Sequence, residues 1–292
     1  MFSLWKDHLR DHPNSELISE FISCAGKRAL AVLFPHKCLV CGRYIRFRPQ
    51  PATPTVDHLL SPLFCPACLE TGVTPIESPL CTWCGKPFAT RTGTDHPCSD
   101  CLKACDQNHD LTCAPTWDRI GKVRAFGLYD ALLKECIHLL KYRKKTSLAR
   151  PLGRLLFQTF QRHFVTGPLH VIVPVPLHRK RLVKRGFNQA YLLVHEFPRL
   201  FRAWAGVAPG WTVSNRLLFR SRNTLSQTGF DKARRAENIK GAFRVKSPAK
   251  VRGKRIILTD DVYTTGATAR EAASTLFKAG ALSVDLLVLA RA

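Results

Sequence analysis

Apolar and polar positions alternate along this chain in ways that mark out its elements. Ile256, Ile257 and Leu258 form a short β-branched, apolar run of the kind found in buried parallel strands, which place ligands at their carboxyl ends. Asp260 and Asp261 follow at that end, and Ala269, Ala272, Ala273, Leu276 and Phe277 then keep helical spacing up to Gly280, a C′ position. The run from His170 is a second strand, which should stop near Pro174 and Pro176 because proline fixes φ and cannot extend a ladder. Leu133, Cys136, Ile137 and Leu140 have helical spacing, so Cys136 reads as core packing. Leu17, Ile18, Phe21 and Ile22 predict a short amphipathic helix in an N-terminal extension, residues 1–36. Strands followed by helices in this way predict an α/β fold with a parallel sheet in the C-terminal half.

The first half reads differently. Cys38 and Cys41, Cys65 and Cys68, Cys81 and Cys84, and Cys98 and Cys101 make four CxxC pairs, each able to hold two corners of a tetrahedral zinc. Gly42 and Gly85 follow the first and third pairs, as a tight knuckle turn requires, and Leu69 and Leu102 follow the second and fourth. The unit CxxCG then CxxCL thus occurs twice, with 23 and 13 residues between its halves, and predicts a double zinc ribbon over 37–113 with two structural four-cysteine sites. Sequential pairing is the simpler assignment; exchange of pairs between the two sites stays open. Disulfides fit less well, because no secretory signal is visible and the longest early apolar run, Ala29 to Phe34, has six residues. The expectation is a cytoplasmic protein. No run approaches the roughly 18 to 20 apolar residues of a membrane span. Cys24, Cys105 and Cys113 receive no role, and His36 and His96 read as bystanders.

The net charge of +24 is concentrated in one half. Residues 1–118 carry 11 Lys/Arg against 12 Asp/Glu, and residues 119–292 carry 34 against 9. The zinc region is therefore not the electropositive part. The excess over 119–292 is larger than a small anion needs and points to a polyanion such as a nucleic acid. The densest candidates are Lys141, Arg143, Lys144 and Lys145 with Lys180, Arg181 and Lys184, and Tyr142 and Phe187 are available to stack on bases.

The string RIILTDDVYTTGAT, Arg255 to Thr268, closely resembles the signature of type I phosphoribosyltransferases. The resemblance implies that Asp260 and Asp261 hydrogen-bond the ribose hydroxyls of phosphoribosyl pyrophosphate (PRPP), with Mg²⁺ accompanying the ligand. It also implies that Thr264, Thr265, Gly266, Ala267 and Thr268 hold the 5′-phosphate at a helix N-terminus. Pro174, Val175, Pro176, Leu177, Arg179 and Arg185 would form the pyrophosphate loop. The polar segment Asn215 to Phe243 reads as a mobile hood. Within it Thr224, Gln227, Gly229, Arg235, Asn238, Gly241, Ala242 and Phe243 match, in order and spacing, a pattern between the two loops in ComF-family proteins. The whole chain is similar to that family, with a double zinc ribbon preceding a type I phosphoribosyltransferase-like domain over 119–292.

The family resemblance implies a role in DNA uptake during natural transformation, with PRPP, single-stranded DNA and other competence proteins as partners. Three readings stay open for the phosphosugar site: a protein that binds PRPP while handling DNA, a working transferase with an unknown acceptor, and a zinc-ribbon adaptor with a degenerate ligand site, which PRPP binding would distinguish. Thr264 stands where purine-base salvage enzymes of this motif place an acidic base, and no catalytic residue is assigned.

Overall fold

The run Ile256–Leu258 is the inner part of a nine-residue strand, and the sheet is built around it. The computed structural model describes residues 36–45, 56–90, 92–106, 120–224 and 237–292. The chain divides into two compact units, 1–70 and 71–292.

In the first unit a turn through Cys38–Cys41 is closed by a hydrogen bond from Gly42 N to Cys38 O (3.0 Å). Helices α1 (Val56–Leu60) and α2 (Pro66–Leu69) follow, and Leu60 and Phe64 are buried. The amphipathic helix expected around Leu17, Ile18, Phe21 and Ile22 lies outside the described residues, as do Cys24 and Cys113.

The second unit opens with the second cysteine cluster and helix α3 (Ser99–Asp106), then forms a five-stranded parallel sheet. Its strands are β1 (Ile120–Leu128), β2 (Val171–Pro174), β3 (Thr212–Val213), β6 (Arg255–Tyr263) and β7 (Ser283–Arg291), in the order β1-β7-β6-β2-β3. Strands β4 (Leu218–Arg220) and β5 (Phe243–Val245) make a separate antiparallel ribbon. Buried Ile256, Leu258, Val284, Leu286 and Val288 belong to one apolar core with Ala272, Ala273 and Leu276 of helix α9 (Ala267–Lys278). Helices α4 (Ala131–Tyr142) and α5 (Ala149–Phe164) bury Leu133, Cys136, Ile137 and Leu140, and Leu152, Leu155, Leu156 and Phe160, and helix α8 (Phe197–Ala205) buries Phe197. Each large side chain so buried contributes about 1.5–3 kcal/mol. Helix α9 ends as the sequence predicts, with Gly280 at φ 90° and its N–H on Phe277 O.

Two features depart from the expected local structure. β6 does not stop before the acidic pair: β7 runs alongside it to the end, pairing Asp260 with Val288 and Tyr263 with Arg291. The basic part of the expected pyrophosphate loop, from Arg179 to Arg185, is helical rather than loop. His178 caps helix α6 (Arg179–Arg185) by accepting the Lys180 N–H, and Gly186, in the left-handed region, ends it.

The outer edge of β1 is covered by the segment that carries the second cysteine cluster. Ile76 N donates to Phe126 O (2.8 Å), Leu128 N to Thr74 O (2.9 Å) and Val123 N to Trp83 O (2.7 Å). An open edge presents unpaired backbone groups to other chains, and these bonds remove that liability.

Candidate functional site

Three chain segments meet at the carboxyl ends of β2 and β6. Pro174 ends β2 opposite Thr259, and Val175 N continues the pairing by donating to Thr259 O (2.8 Å). Asn188 then fastens the loop of Pro174, Val175, Pro176 and Leu177, its Nδ2 donating to Val175 O (3.1 Å) while its Oδ1 caps helix α7 (Gln189–Val194). Behind that loop α6 carries the expected cations. Arg179, Lys180 and Lys184 are exposed. Arg181 is partly buried and donates to Thr224 O (2.7 Å), and Arg185 donates to Gln189 Oε1 (2.6 Å).

On β6, Asp261 faces inward, 4% exposed, and Asp260 is half-buried with its Oδ1 accepting from Asp261 N (2.8 Å). Burial and then the neighbouring Asp261 carboxylate push the Asp260 pKa up from the ordinary range. Lys141 Nζ lies 2.8 Å from Asp261 Oδ2. Burial works against the Lys141 ammonium, but Asp261 and then Asp260 outweigh it and hold its pKa above the usual lysine value. Lys141 is thus separated from the other expected nucleic-acid cations: Arg143, Lys144 and Lys145 stay exposed while it turns in to the acidic pair.

The phosphate loop follows at the end of β6. Thr264 and Thr265 form the bend, Gly266 is the N-cap of α9 at φ 76°, Thr265 Oγ1 accepts from Ala267 N (3.5 Å), and Thr268 lies in the first turn. A helix N-terminus with this loop presents amides and a positive dipole end to an anion. A Cβ at Gly266 would sit 2.7 Å from the Tyr263 hydroxyl and in a backbone region L-residues avoid. Gly266→Ala should therefore destabilise the loop by about 1–3 kcal/mol and weaken phosphate binding, measured by thermal unfolding and by inorganic phosphate titration.

The hood begins at β4. Arg220 donates to Thr224 Oγ1, and burial followed by the nearby Arg181 lowers its pKa to about 10, while Asp260 opposes that shift. Arg222 donates to Asn238 O (2.9 Å) and to Lys240 O, stapling the two sides of the hood's base. Gln227 and Arg235, with Gly229, lie outside the described residues.

Sequence reasoning did not single out Arg220, Arg222 or Asn188, and it read Lys141 as a surface cation. Helical spacing carried the signal for Lys141, which lies four residues after Ile137 and eight after Leu133, on the face that turns inward. Nothing comparable marked Arg220, because a buried arginine on a three-residue strand has no periodic signature.

The cysteines form two groups, Cys38, Cys41, Cys65 and Cys68, and Cys81, Cys84, Cys98 and Cys101, which is the sequential pairing. Cys81 and Cys101, and Cys84 and Cys98, have their sulfurs 3.8 Å apart, and Cys41 and Cys65 3.5 Å. A tetrahedron with Zn–S bonds of about 2.3 Å has edges of about 3.8 Å, so the second group in particular fits zinc. His96 stays outside it, stacked on Phe88 at 4.1 Å. Gly85 packs under Val123, leaving no room for a side chain: a Cβ there would be 2.3 Å from Val123 O. Among the described residues no helix is long and apolar enough to cross a membrane.

A model of the double zinc ribbon domain matches residues 29–102. The chain is 33% identical over 219 residues to the DNA utilization protein YhgH of Escherichia coli, covering 74% of this chain and 85% of that one. It is 30% identical over 227 residues to Competence protein F of Haemophilus influenzae, with 73% and 90% covered, and 28% identical over 259 residues to Competence protein ComFC of Bacillus subtilis, with 87% and 94% covered. Among solved structures, the glutamine PRPP amidotransferase of B. subtilis overlaps 49% of this chain and 26% of its own at 20% identity and a TM-score of 0.30. The fold assignment rests on the strand order rather than on that overlap. Identity of 30–33% to YhgH and Competence protein F along most of each chain, with the double ribbon ahead of the parallel sheet, makes this chain a member of the ComF family, to which YhgH, Competence protein F and ComFC belong.

Proposed function

We propose that the parallel-sheet region binds PRPP with Mg²⁺ and that the same unit handles single-stranded DNA in the cytoplasm during DNA uptake. The observation that carries the phosphosugar half is the convergence at one end of β2 and β6. A buried Asp261 and a half-buried Asp260, the latter in the electrostatic reach of Arg220, lie next to a helix N-terminus entered through a left-handed glycine. Carboxylates suit a ribose diol, fixed guanidinium groups suit a pyrophosphate, and the helix end suits a 5′-phosphate. Asp260 and Asp261 are the residues that would hold Mg²⁺ with the ligand: they are adjacent oxygen donors, as a hard cation prefers. Bound there, the ion would neutralise charge on the pyrophosphate.

For the nucleic-acid half, the supporting feature is an exposed set of cations interleaved with one exposed ring and exposed apolar side chains, while Phe187 is half-buried. Arg143, Lys144, Lys145, Lys180 and Lys184 are exposed, as are Tyr142 and Val183. The relatives' names, DNA utilization protein and competence protein, agree with this assignment. Binding of single strands through phosphates releases counterions, so log affinity should fall linearly with log salt. Each phosphate neutralised on a single strand adds roughly 0.7 to that slope, so replacing Arg143, Lys144 and Lys145 together by glutamine should make it shallower by about 2. A slope near zero in the unaltered protein would remove the DNA reading.

A further inference from the structure

The C-terminal turn of α4 reaches both halves of the candidate site. Lys141 places its ammonium 2.8 Å from Asp261 Oδ2, and its side chain is 17% exposed against 5% for Asp261. Tyr142, the next residue, lies beneath the Arg185 guanidinium of the pyrophosphate side, 5.8 Å from ring centroid to guanidinium carbon. The helix is also held between two backbone outliers. Ala131 at its start has φ 38° and Lys144 just past its end has φ 53°, the positive-φ residues other than glycine among the described residues. Such conformations cost of order 1–3 kcal/mol each and persist where surrounding contacts enforce them.

The Lys141 ammonium contacts Asp261 and acts electrostatically on Asp260, so on the phosphosugar reading it stands where a ribose diol or a divalent cation would bind. Its charge offsets the buried Asp261 anion and its half-buried neighbour Asp260, and leaving a buried carboxylate unpaired is costly. We infer that Lys141 is a resident counter-ion of Asp260 and Asp261, a specificity-determining residue that a metal-bound ligand must displace. The site then discriminates against ligands that bring no positive charge of their own to the carboxylates. Displacement frees Lys141 from the interior and releases the turn that carries Tyr142, Arg143, Lys144 and Lys145. The identity of the natural ligand rests on the phosphosugar reading; the counter-ion role does not.

Mn²⁺ alone, followed by electron paramagnetic resonance, tests this on the zinc-loaded full-length chain. Lys141→Met should bind Mn²⁺ at least tenfold more tightly than the unaltered protein, Lys141→Arg should not, and Asp260→Asn/Asp261→Asn combined with Lys141→Met should abolish the gain. Equal Mn²⁺ affinity in the unaltered protein and in folded Lys141→Met would overturn the inference. Lys141→Gln is the alternative variant if the methionine chain lacks a cooperative melt. A measurement on the unaltered protein adds an independent check: acetylation of Lys141 read by mass spectrometry should rise when Mn²⁺ is added, and a labelling extent independent of saturating Mn²⁺ would also overturn it. PRPP calorimetry on the same proteins separates the two claims. If none binds PRPP while Lys141→Met gains its Mn²⁺ site, the counter-ion role stands and the phosphoribosyl reading falls.

Discussion

Replacing Cys81 and Cys84 by serine should abolish cooperative unfolding of the 71–292 unit and remove one zinc per chain. The second cysteine cluster is part of that unit's architecture, because the segment bearing it pairs with β1 through Thr74, Ile76 and Trp83. Arg291, at the end of β7, donates to Cys84 O and lies 3.9 Å from Cys84 Sγ. The same guanidinium lies over the ring of Tyr263, 5.2 Å away, and Tyr263 is the side chain against which Gly266 packs. Loss of the metal would therefore open a sheet edge and loosen the floor of the phosphate loop together. Structural zinc contributes about 10–16 kcal/mol of apparent binding free energy, against a net stability of about 5–15 kcal/mol for a typical domain. That comparison predicts loss of the transition rather than a small shift in Tm. Cys38→Ser/Cys41→Ser, in the other unit, should also lose one zinc but keep the 71–292 transition. Calorimetric unfolding with zinc stoichiometry on both variants distinguishes these outcomes.

The part of the fold legible in the sequence was the part governed by short-range rules. β-branched runs before Asp260 and Pro174 announced strands, the spacing from Ala269 to Phe277 announced α9, and the CxxC repeat announced two cysteine clusters, whose sequential grouping the structure then selected over an exchange of pairs. Pairing partners were not legible. That β7 accompanies β6 past the acidic pair, or that the second cluster's segment covers β1, depends on contacts between residues far apart in sequence, which no local pattern encodes.

The candidate site divides in the same way. Asp260, Asp261 and Gly266 sit in a contiguous string whose resemblance to the type I phosphoribosyltransferase signature suggests a phosphosugar loop. Arg220 and Lys141 reach it from β4 and α4, and the net charge obscured them: in a region with 34 Lys/Arg, one cation facing inward looks like its exposed neighbours. The helical face of Lys141 held the missing information, since following Leu133 and Ile137 by a further turn leads to the buried side.

Asp260→Asn/Asp261→Asn should lower affinity for PRPP with Mg²⁺ at least a hundredfold. Hydrogen bonds to charged groups contribute about 1.5–3 kcal/mol each, and two such bonds removed from the ribose correspond to a factor of that order or more. The asparagine side chains keep the shape of the pair, so packing in β6 is retained. They also leave the Lys141 ammonium without its anion, a loss that can itself destabilise the chain by several kcal/mol. Adding Lys141→Met to the double variant removes that unpaired charge and isolates the contribution of the carboxylates to ligand binding. Isothermal titration of PRPP in Mg²⁺, on the unaltered chain and on this triple variant with melting checked in both, is the decisive measurement. The account predicts saturable binding by the unaltered chain and at least a hundredfold loss in the variant; equal affinity in the two folded proteins would contradict it.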